Sequence, residues 1–591
     1  MKKIFNMLIV ASVILSFVSI RCSEIRFGDD FLGSDPESSG ATLDTMFSSE
    51  LYSNQVLAMA YSYLPTGIPC DVDNRMGLNT IEAITDLAES DCEYAVDGPG
   101  RLYYNGALSS LSTPEGSENY RFCEEGDYHA IRYAWIYIEN ISKVPDMTDA
   151  LKNQRIAEAK MIIAISYAEM LRYVGGVPLL DHSIDTNEAM EFPRATFAET
   201  VDYIIQLLDE AADYLPWSVD SADDGRMTKA GALGLKVRVL CFAASPTFNS
   251  DSAWHSAADE YTCYGNYDKE RWGAAMEAGE EFMSMLESMG YYALVQATED
   301  THTARRLAYR SGYYDRGNGE ILISSRAAGY DVSAYASFFL QRVYSGPTLN
   351  YANMYAWEDG TEFPEDFDWS NPSKEPFFVY QNGEMVPTRE PRLYENITVP
   401  GDIYFNGLTA ALHINHPDAA TKVPGFMQMK FHLQETSDRT GRPIQWPYLR
   451  LPEVLLSYAE AINEYKGSPN TTAYACVETV RSRVGLLGYD TGMSQSEFRE
   501  ALLNERAMEF GYEEVRWFDL VRWGREADFR KTLYGLTSVG NDGTNPTSFT
   551  FATYELDARH WVNTWSTKWY LAPIPQAEVN KDYGMTQNPG W

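Results

Sequence analysis

Through residues 40–290 apolar side chains return at steps of three and four, the spacing of one face of an α-helix. Across 155–176 the stripe is Ile156, Ala159, Ile163, Tyr167, Met170 and Val174, and Gly175-Gly176 with Pro178 stops it. A second helix is predicted from Thr196, which can form a capping box with Glu199, through Tyr203, Leu207, Leu208 and Ala211 to Pro216. A third runs from Thr228 to Ser245-Pro246. Its Ala230, Gly231, Ala232 and Gly234 carry no bulk, so a neighbouring helix can come close. The same spacing predicts helices at 46–64, 128–143 and 267–289. It returns at 452–465, where Pro452 suits a first turn that needs no amide, and at 472–484 and 494–510.

Two stretches break this rhythm. Residues 65–126 and 290–445 are loop-rich, the second dense in Gly, Pro, Asn, Tyr and Trp with only short strand-like runs such as 321–325. The tail from Tyr534 to Trp591 reads as mostly loop. Antiparallel helix pairs with small residues at their crossings predict a mostly α fold, a degenerate tetratricopeptide-like scaffold without a strict 34-residue period. One domain is expected over 22–591, with the scaffold at about 40–290 and 446–525, two long insertions and a tail over 526–591. Long insertions on a rigid scaffold are where function usually sits.

The first residues change the compartment. Lys2 and Lys3, the apolar run 7–20 and then Cys22 read as an export signal over 1–21, too short for a comfortable membrane span. A cysteine directly after such a signal is where bacterial lipoproteins are cleaved and acylated. Arg21 and Ser19 stand where a small residue and leucine are usual, so plain secretion with an incidental cysteine is the alternative. None of the other six cysteines forms a CxxC pair. Cys70, Cys92 and Cys123 share one loop-rich stretch and could bridge outside the cytoplasm, whereas Cys241 lies in an apolar helical run as a buried thiol. No disulfide is assigned.

With 45% hydrophobic and 22% charged residues the chain is built to fold. Its formal charge is −37, and losing Lys2, Lys3 and Arg21 with the signal takes it to −40. Such a chain cannot release counterions from a phosphate polymer, which excludes nucleic acid as a partner. Anionic lipid would repel it, so membrane attachment must come from a lipid anchor or an inserted helix.

Catalytic motifs are missing: there is no Walker A loop, GxSxG elbow, HExxH or Cys/His array, and no cofactor is expected. His413 and His416 would need a third ligand such as Asp418 to hold a metal, and a polar loop is the plainer reading. Paired carboxylates could serve glycoside hydrolysis, but 84 acids make any single pair uninformative. Aromatics, at 13% with 40 Tyr and 13 Trp, exceed what a core needs. Sugars offer an apolar C–H face to such rings and a rim of hydroxyls to Asn, Asp and Arg. The first insertion holds Asp91, Tyr94, Arg101, Tyr103, Tyr104 and Asn105; the second holds Tyr344, Tyr355, Trp357 and Trp369 with Asn350 and Asn353. Each ring could equally pack its loop onto the scaffold. In 502–524, Glu505, Arg506, Glu509, Arg516, Asp519 and Arg522 alternate with Phe510, Trp517, Phe518, Leu520 and Trp523, which reads as a structural ion-pair network between helices. The closing Gln587-Asn588-Pro589-Gly590-Trp591 reads as a tail docked by its aromatic end.

Several segments resemble one family, the SusD/RagB outer-membrane nutrient-binding lipoproteins of Bacteroidetes. They are Phe31-Leu32 and Asp35-Pro36, YVGGVPLL (173–180), GRMTKAGALGLKVRVLCFAASPTFN (225–249), YLRLPEVLLSYAEAINE (448–464), LLNERAMEFGYEEVRWFDLVRWG (502–524) and YLAPIPQAEVN with QNPGW (570–591). The resemblance implies a lipid on Cys22, anchoring at the outer membrane and surface exposure of the body. It further implies a non-enzymatic protein that captures oligosaccharides and delivers them to a SusC-like TonB-dependent transporter. Ligand contacts in that family come from loops at the places of the two insertions. A RagB-like peptide binder of the same fold, a glycoside hydrolase and a scaffold that binds only proteins are the alternatives.

Overall fold

The computed structural model describes residues 42–68, 80–90, 103, 106–111, 126–184, 191–331, 345–404, 408–417, 419, 424–431 and 443–591. Cys22, Cys70, Cys92 and Cys123 lie outside them; Cys241, Cys263 and Cys476 are free, buried thiols.

The helices expected from apolar spacing are present: α1 (Glu50–Ser62), α2 (Gly126–Asn140), α3 (Asp149–Val174), α4 (Phe197–Ala212), α5 (Lys229–Ala244) and α6 (Glu270–Met289). Thr196 and Glu199 close the capping box at the start of α4, and Gly175 ends α3 at φ 86°, where a side chain would be strained. Each helix packs on the next in the chain, α1 through α6. Such nearest-neighbour stacking of antiparallel helices is the tetratricopeptide-like arrangement. The scaffold then skips the second insertion. Helix α6 packs on α9 (Leu451–Lys466), which also touches α5, α10 (Thr471–Ser482) and α11 (Gln495–Phe510).

The small residues of α5 do more than admit a helix. A Cβ added to Gly231 would stand 3.0 Å from the Leu322 carbonyl oxygen; one on Gly234 would stand 3.0 Å from side-chain atoms of Leu322 and Leu449 and 3.1 Å from Val454. Part of the approaching surface is therefore the antiparallel pair β1 (Ile321–Asp331) and β2 (Pro443–Arg450), the second running straight into α9. The strand expected at 321–325 is longer than its apolar run because β2 supplies its ladder.

Some elements inside the stretches read as loop were not expected. Helix α7 (His302–Tyr314), capped by Thr301, lies inside the second insertion. The tail, read as loop, contains the hairpin β3 (Tyr534–Gly540) and β4 (Phe549–Glu555), paired over seven residues. The first strand carries two glycines, a threonine and a serine and the second two threonines, which blurred their alternation.

The charged run at 502–524 forms a buried network. Helices α8 (Pro391–Asn396) and α12 (Arg516–Arg522) complete it. Arg392 contacts Glu390 (2.8 Å), Glu505 (2.6 Å) and Glu509 (3.3 Å), and Arg450 contacts Glu320 (2.6 Å), Glu509 (3.1 Å) and Glu513 (2.7 Å). Arg483 adds further bonds to Glu320 and Glu509. Burial alone would raise the Glu509 carboxyl, but Arg483, Arg450 and Arg392 around it bring it down to about 2. Desolvation of this size is offset only when every charge is met, as it is here. The C-terminal tail is docked: Asn588 bonds Val174 O (3.0 Å) and Ala572 O (2.6 Å) and accepts from Arg194 (2.6 Å), and the Lys568 ammonium lies 4.2 Å from the Trp591 ring centre.

Candidate ligand-binding face

The two insertions meet at a short antiparallel pair, Ala88–Ser90 against Ser345–Pro347, with Ser90 opposite Ser345. The first group of candidates begins at Asp91 and the second at Tyr344, so both segments leave the described residues at this one edge. Asp91, Tyr94, Arg101, Tyr104, Asn105 and Tyr344 themselves lie outside the described residues.

Strong bonds fix that edge to the scaffold. Asp86 receives a two-pronged contact from Arg516 of α12, 2.9 Å to each oxygen, and a further bond from Lys531. Arg559 donates to the carbonyls of Ala83 (3.0 Å) and Ala88 (2.7 Å) and pairs with Glu89 (2.9 Å). The Thr348 amide and hydroxyl donate to Leu87 O (2.9 Å) and Asp86 O (2.7 Å), and the Thr348 hydroxyl oxygen accepts the Tyr351 amide (3.1 Å), capping the short helix Leu349–Met354. Glu82 completes the support: its Oε1 accepts the Glu514 amide at 2.9 Å, while Oε2 is buried with no partner. Burial, and next the Glu514 charge, push the Glu82 carboxyl up to about 8.

Three candidates fall on described residues, and there each ring packs against other side chains of the protein. Tyr103 is 1% exposed and is boxed by Trp517, Trp569 and Trp561, at 5.7, 5.2 and 5.8 Å between ring centres. Trp369 packs on Phe367, Phe377 and Phe551 at 5.0, 5.8 and 5.8 Å. Trp357 lies against Phe363 at 5.1 Å. Each ring gains more by burying its apolar area than by waiting in water for a ligand. Tyr355 is buried with its hydroxyl bonded to Tyr351 (2.5 Å) and Asn396 (2.7 Å), and Asn350 bonds the backbone of Thr532 and Tyr534. Asn353 keeps a buried Oδ1 with no partner.

Sequence reasoning missed what holds Trp357. The hairpin Phe378–Gln381/Glu384–Pro387 turns at Asn382-Gly383, both at positive φ, and leads to Arg389. That dipeptide between apolar flanks was the available signal. Arg389 is fully buried and meets no carboxylate; it donates to the carbonyls of Ala352 (2.9 Å), Tyr355 and Ala356 and lies 3.8 Å from the Phe363 ring centre. Burial lowers its guanidinium to about 9. On the other loop, His413 bonds Gly543 O (3.0 Å) and stands edge-on to His416. Asp418 lies outside the described residues, and among those described no group of three or more His, Cys, Asp or Glu could hold a metal.

Two family models match the chain, one described as the SusD family over residues 342–591 and one described as starch-binding associating with outer membrane over 103–240. SusD-like protein P38 of Formosa agariphila is 25% identical over 452 residues, covering 73% of this chain and 77% of that protein. SusD-like protein P2 of the same organism is 28% identical over 150 residues, 24% of this chain and 25% of its own length. Among solved structures, a SusD-like protein from Bacteroides fragilis superposes with a TM-score of 0.71 at 22% identity, covering 94% of this chain and all of its own. A SusD-like carbohydrate binding protein from the same species has a TM-score of 0.67 at 20% identity, covering 91% of this chain and 99% of its own.

Proposed function

The chain belongs to the SusD family, and from that premise we propose that it is a glycan-binding lipoprotein of the outer membrane. It holds oligosaccharides at the cell surface and passes them to a SusC-like TonB-dependent transporter, with acyl chains on Cys22 as the anchor. It carries out no chemistry on the sugar. The observation that supports this reading most is the Ser90–Ser345 pairing, which makes two polar, aromatic insertions leave the scaffold side by side. Asp91, Tyr94, Arg101, Tyr104, Asn105 and Tyr344 are the proposed contacts from these segments. Delivery requires only modest affinity, about −4 to −8 kcal/mol for millimolar to micromolar binding.

A peptide ligand is the second reading, favoured by the acidic composition of 357–375, which would suit a basic peptide. Isothermal titration of the mature protein with glycan and peptide panels separates the two. Heat with glycans is expected, and Tyr104→Ala weakens it without lowering the melting temperature. Heat with peptides alone, or new reducing ends released from a glycan, would overturn the proposal. Labelling with radioactive palmitate, lost in Cys22→Ser, tests the anchor.

A further inference from the structure

The hairpin of β3 and β4 has one covered edge and one open edge. The Asn541 amide bonds Ser548 O (3.0 Å) and the Leu556 amide bonds Leu533 O (2.9 Å), which fixes the phase of the ladder between them. In an antiparallel pair, residues that bond each other alternate with residues whose amides and carbonyls point away. The outward set is therefore Tyr534, Leu536, Ser538 and Gly540 on β3, and Phe549, Phe551, Thr553 and Glu555 on β4. On β3 the second insertion covers this set. The Tyr534 amide donates to Asn350 Oδ1 (2.8 Å) and the Leu536 amide to Pro424 O (2.8 Å). Ser538 O accepts the Ile414 amide (3.0 Å), and the Gly540 amide and carbonyl both bond the Asn415 side chain (2.9 and 2.8 Å). On β4 no hydrogen bond from the described residues reaches the outward groups of Phe549, Phe551, Thr553 or Glu555. Ala552, Thr553, Tyr554 and Glu555 are exposed.

Free edges are normally protected by lysine, proline, a bulge or shortness, because an open row of amides and carbonyls is a template for another strand. Strand β4 has none of these. It reads FTFATYE, pairs with β3 over seven residues without a register shift, and carries its one charge at the last position. We propose that this edge pairs with the same strand of a second copy of the chain, giving a twofold dimer with a continuous sheet in the order β3-β4-β4-β3. All seven residues overlap only when the twofold axis passes through Ala552. Phe549 then lies opposite the partner's Glu555, Thr550 opposite the partner's Tyr554 and Phe551 opposite the partner's Thr553. In that register every outward residue falls in a hydrogen-bonded pair, with two bonds to each pair. No acid faces an acid across the seam, where like charges would be destabilising. The formal charge of −37 on each chain acts at longer range, where salt screens it. Growth stops at two copies, because Asn350, Ile414, Asn415 and Pro424 already occupy the other edge and the twofold contact closes on itself.

The test uses the mature protein in sedimentation equilibrium, where a reversible dimer is expected. Raising salt from about 50 to 500 mM should tighten it, since the two acidic bodies then repel each other less. Thr553→Pro removes an outward amide from each copy and none from the β3 ladder, so the dissociation constant should rise about tenfold or more at an unchanged melting temperature. Ala552→Glu sets two acids directly opposite each other and should weaken the dimer while leaving every amide in place. Cysteines read the register. In Ala552→Cys the two Cα atoms meet about 4.5 Å apart, and an intermolecular disulfide should form under mild oxidation; in Thr550→Cys they stand about 14 Å apart and should not bridge. A protein that stays monomeric up to about 1 mM overturns the proposal. So does a dimer indifferent to both Thr553→Pro and Ala552→Glu, or equal cross-linking in Ala552→Cys and Thr550→Cys.

Discussion

Replacing Asp86 by Asn tests how the candidate face is held. Burial alone would raise the Asp86 carboxyl, but Arg516 and then Lys531 hold it well below the usual carboxylate range. Its folded pKa is depressed, so its stabilisation is present above the unfolded value of about 3.9 and is lost as pH falls through the folded one. Near neutrality the wild-type clamp is fully engaged. Asn keeps one acceptor but leaves Arg516, 4% exposed, without its countercharge. Breaking a buried pair from one side costs about 3–5 kcal/mol, and the retained acceptor places this change near 3. Spread over some 570 residues at about 2.1 cal/mol/K each, the unfolding entropy is about 1.2 kcal/mol/K, so a single cooperative transition moves only about 2–3 °C. The local effect is larger. If residues 80–90 open as a unit, 3 kcal/mol raises the open population by about two powers of ten. Hydrogen exchange of the Ala83, Leu87 and Ala88 amides at pH 7 reads this directly. Protection unchanged in Asp86→Asn, with glycan affinity also intact, would refute the view that this ion pair positions the face.

Three further changes probe the same supports. Glu82, with its folded pKa raised to about 8, adds stability below its unfolded value of about 4.3 and loses it as pH climbs toward 8. Glu82→Gln should therefore flatten the stability profile over that window and gain a few kcal/mol at pH 8, measured by urea unfolding at pH 5 and pH 8; parallel profiles would count against a buried neutral acid. Gly279→Ala ought to improve helix propensity by about 1 kcal/mol, yet its Cβ would meet Tyr458 at 2.2 Å. Overpacking of about 1–3 kcal/mol should win, and a raised melting temperature would show that α6 and α9 can separate freely. Asn588→Ala removes the side-chain donor from the Ala572 carbonyl and an acceptor from Arg194, while Val174 O keeps its bond from Arg194, and should cost about 1–3 kcal/mol; faster removal of the tail by carboxypeptidase is the readout, and an unaltered cleavage rate would deny the docking role.

Helix positions were legible because each depends on local spacing and caps that the chain writes within four residues. Thr196-Glu199 and Pro452 are cases where the sequence signal and the geometry coincide. The ion-pair network was legible in kind, since six charges among aromatics in one short helical run have no solvated face to occupy. Its partners were not. Glu320, Arg392, Arg450 and Arg483 come from four other elements, and no spacing rule links them to Glu509.

The aromatic candidates show the sharper limit. Whether a ring stacks on a sugar or on the scaffold is decided by what covers each of its faces, and those covers come from afar. Tyr103 is closed by indoles more than 400 positions downstream, and Trp369 by Phe551 of the unexpected hairpin. Trp357 is closed in the same manner, by Phe363 and by the Arg389 that follows the Phe378–Pro387 hairpin. The choice among aromatics thus turns on which residues cover each ring, which neither the count nor the spacing of Tyr and Trp along the chain encodes.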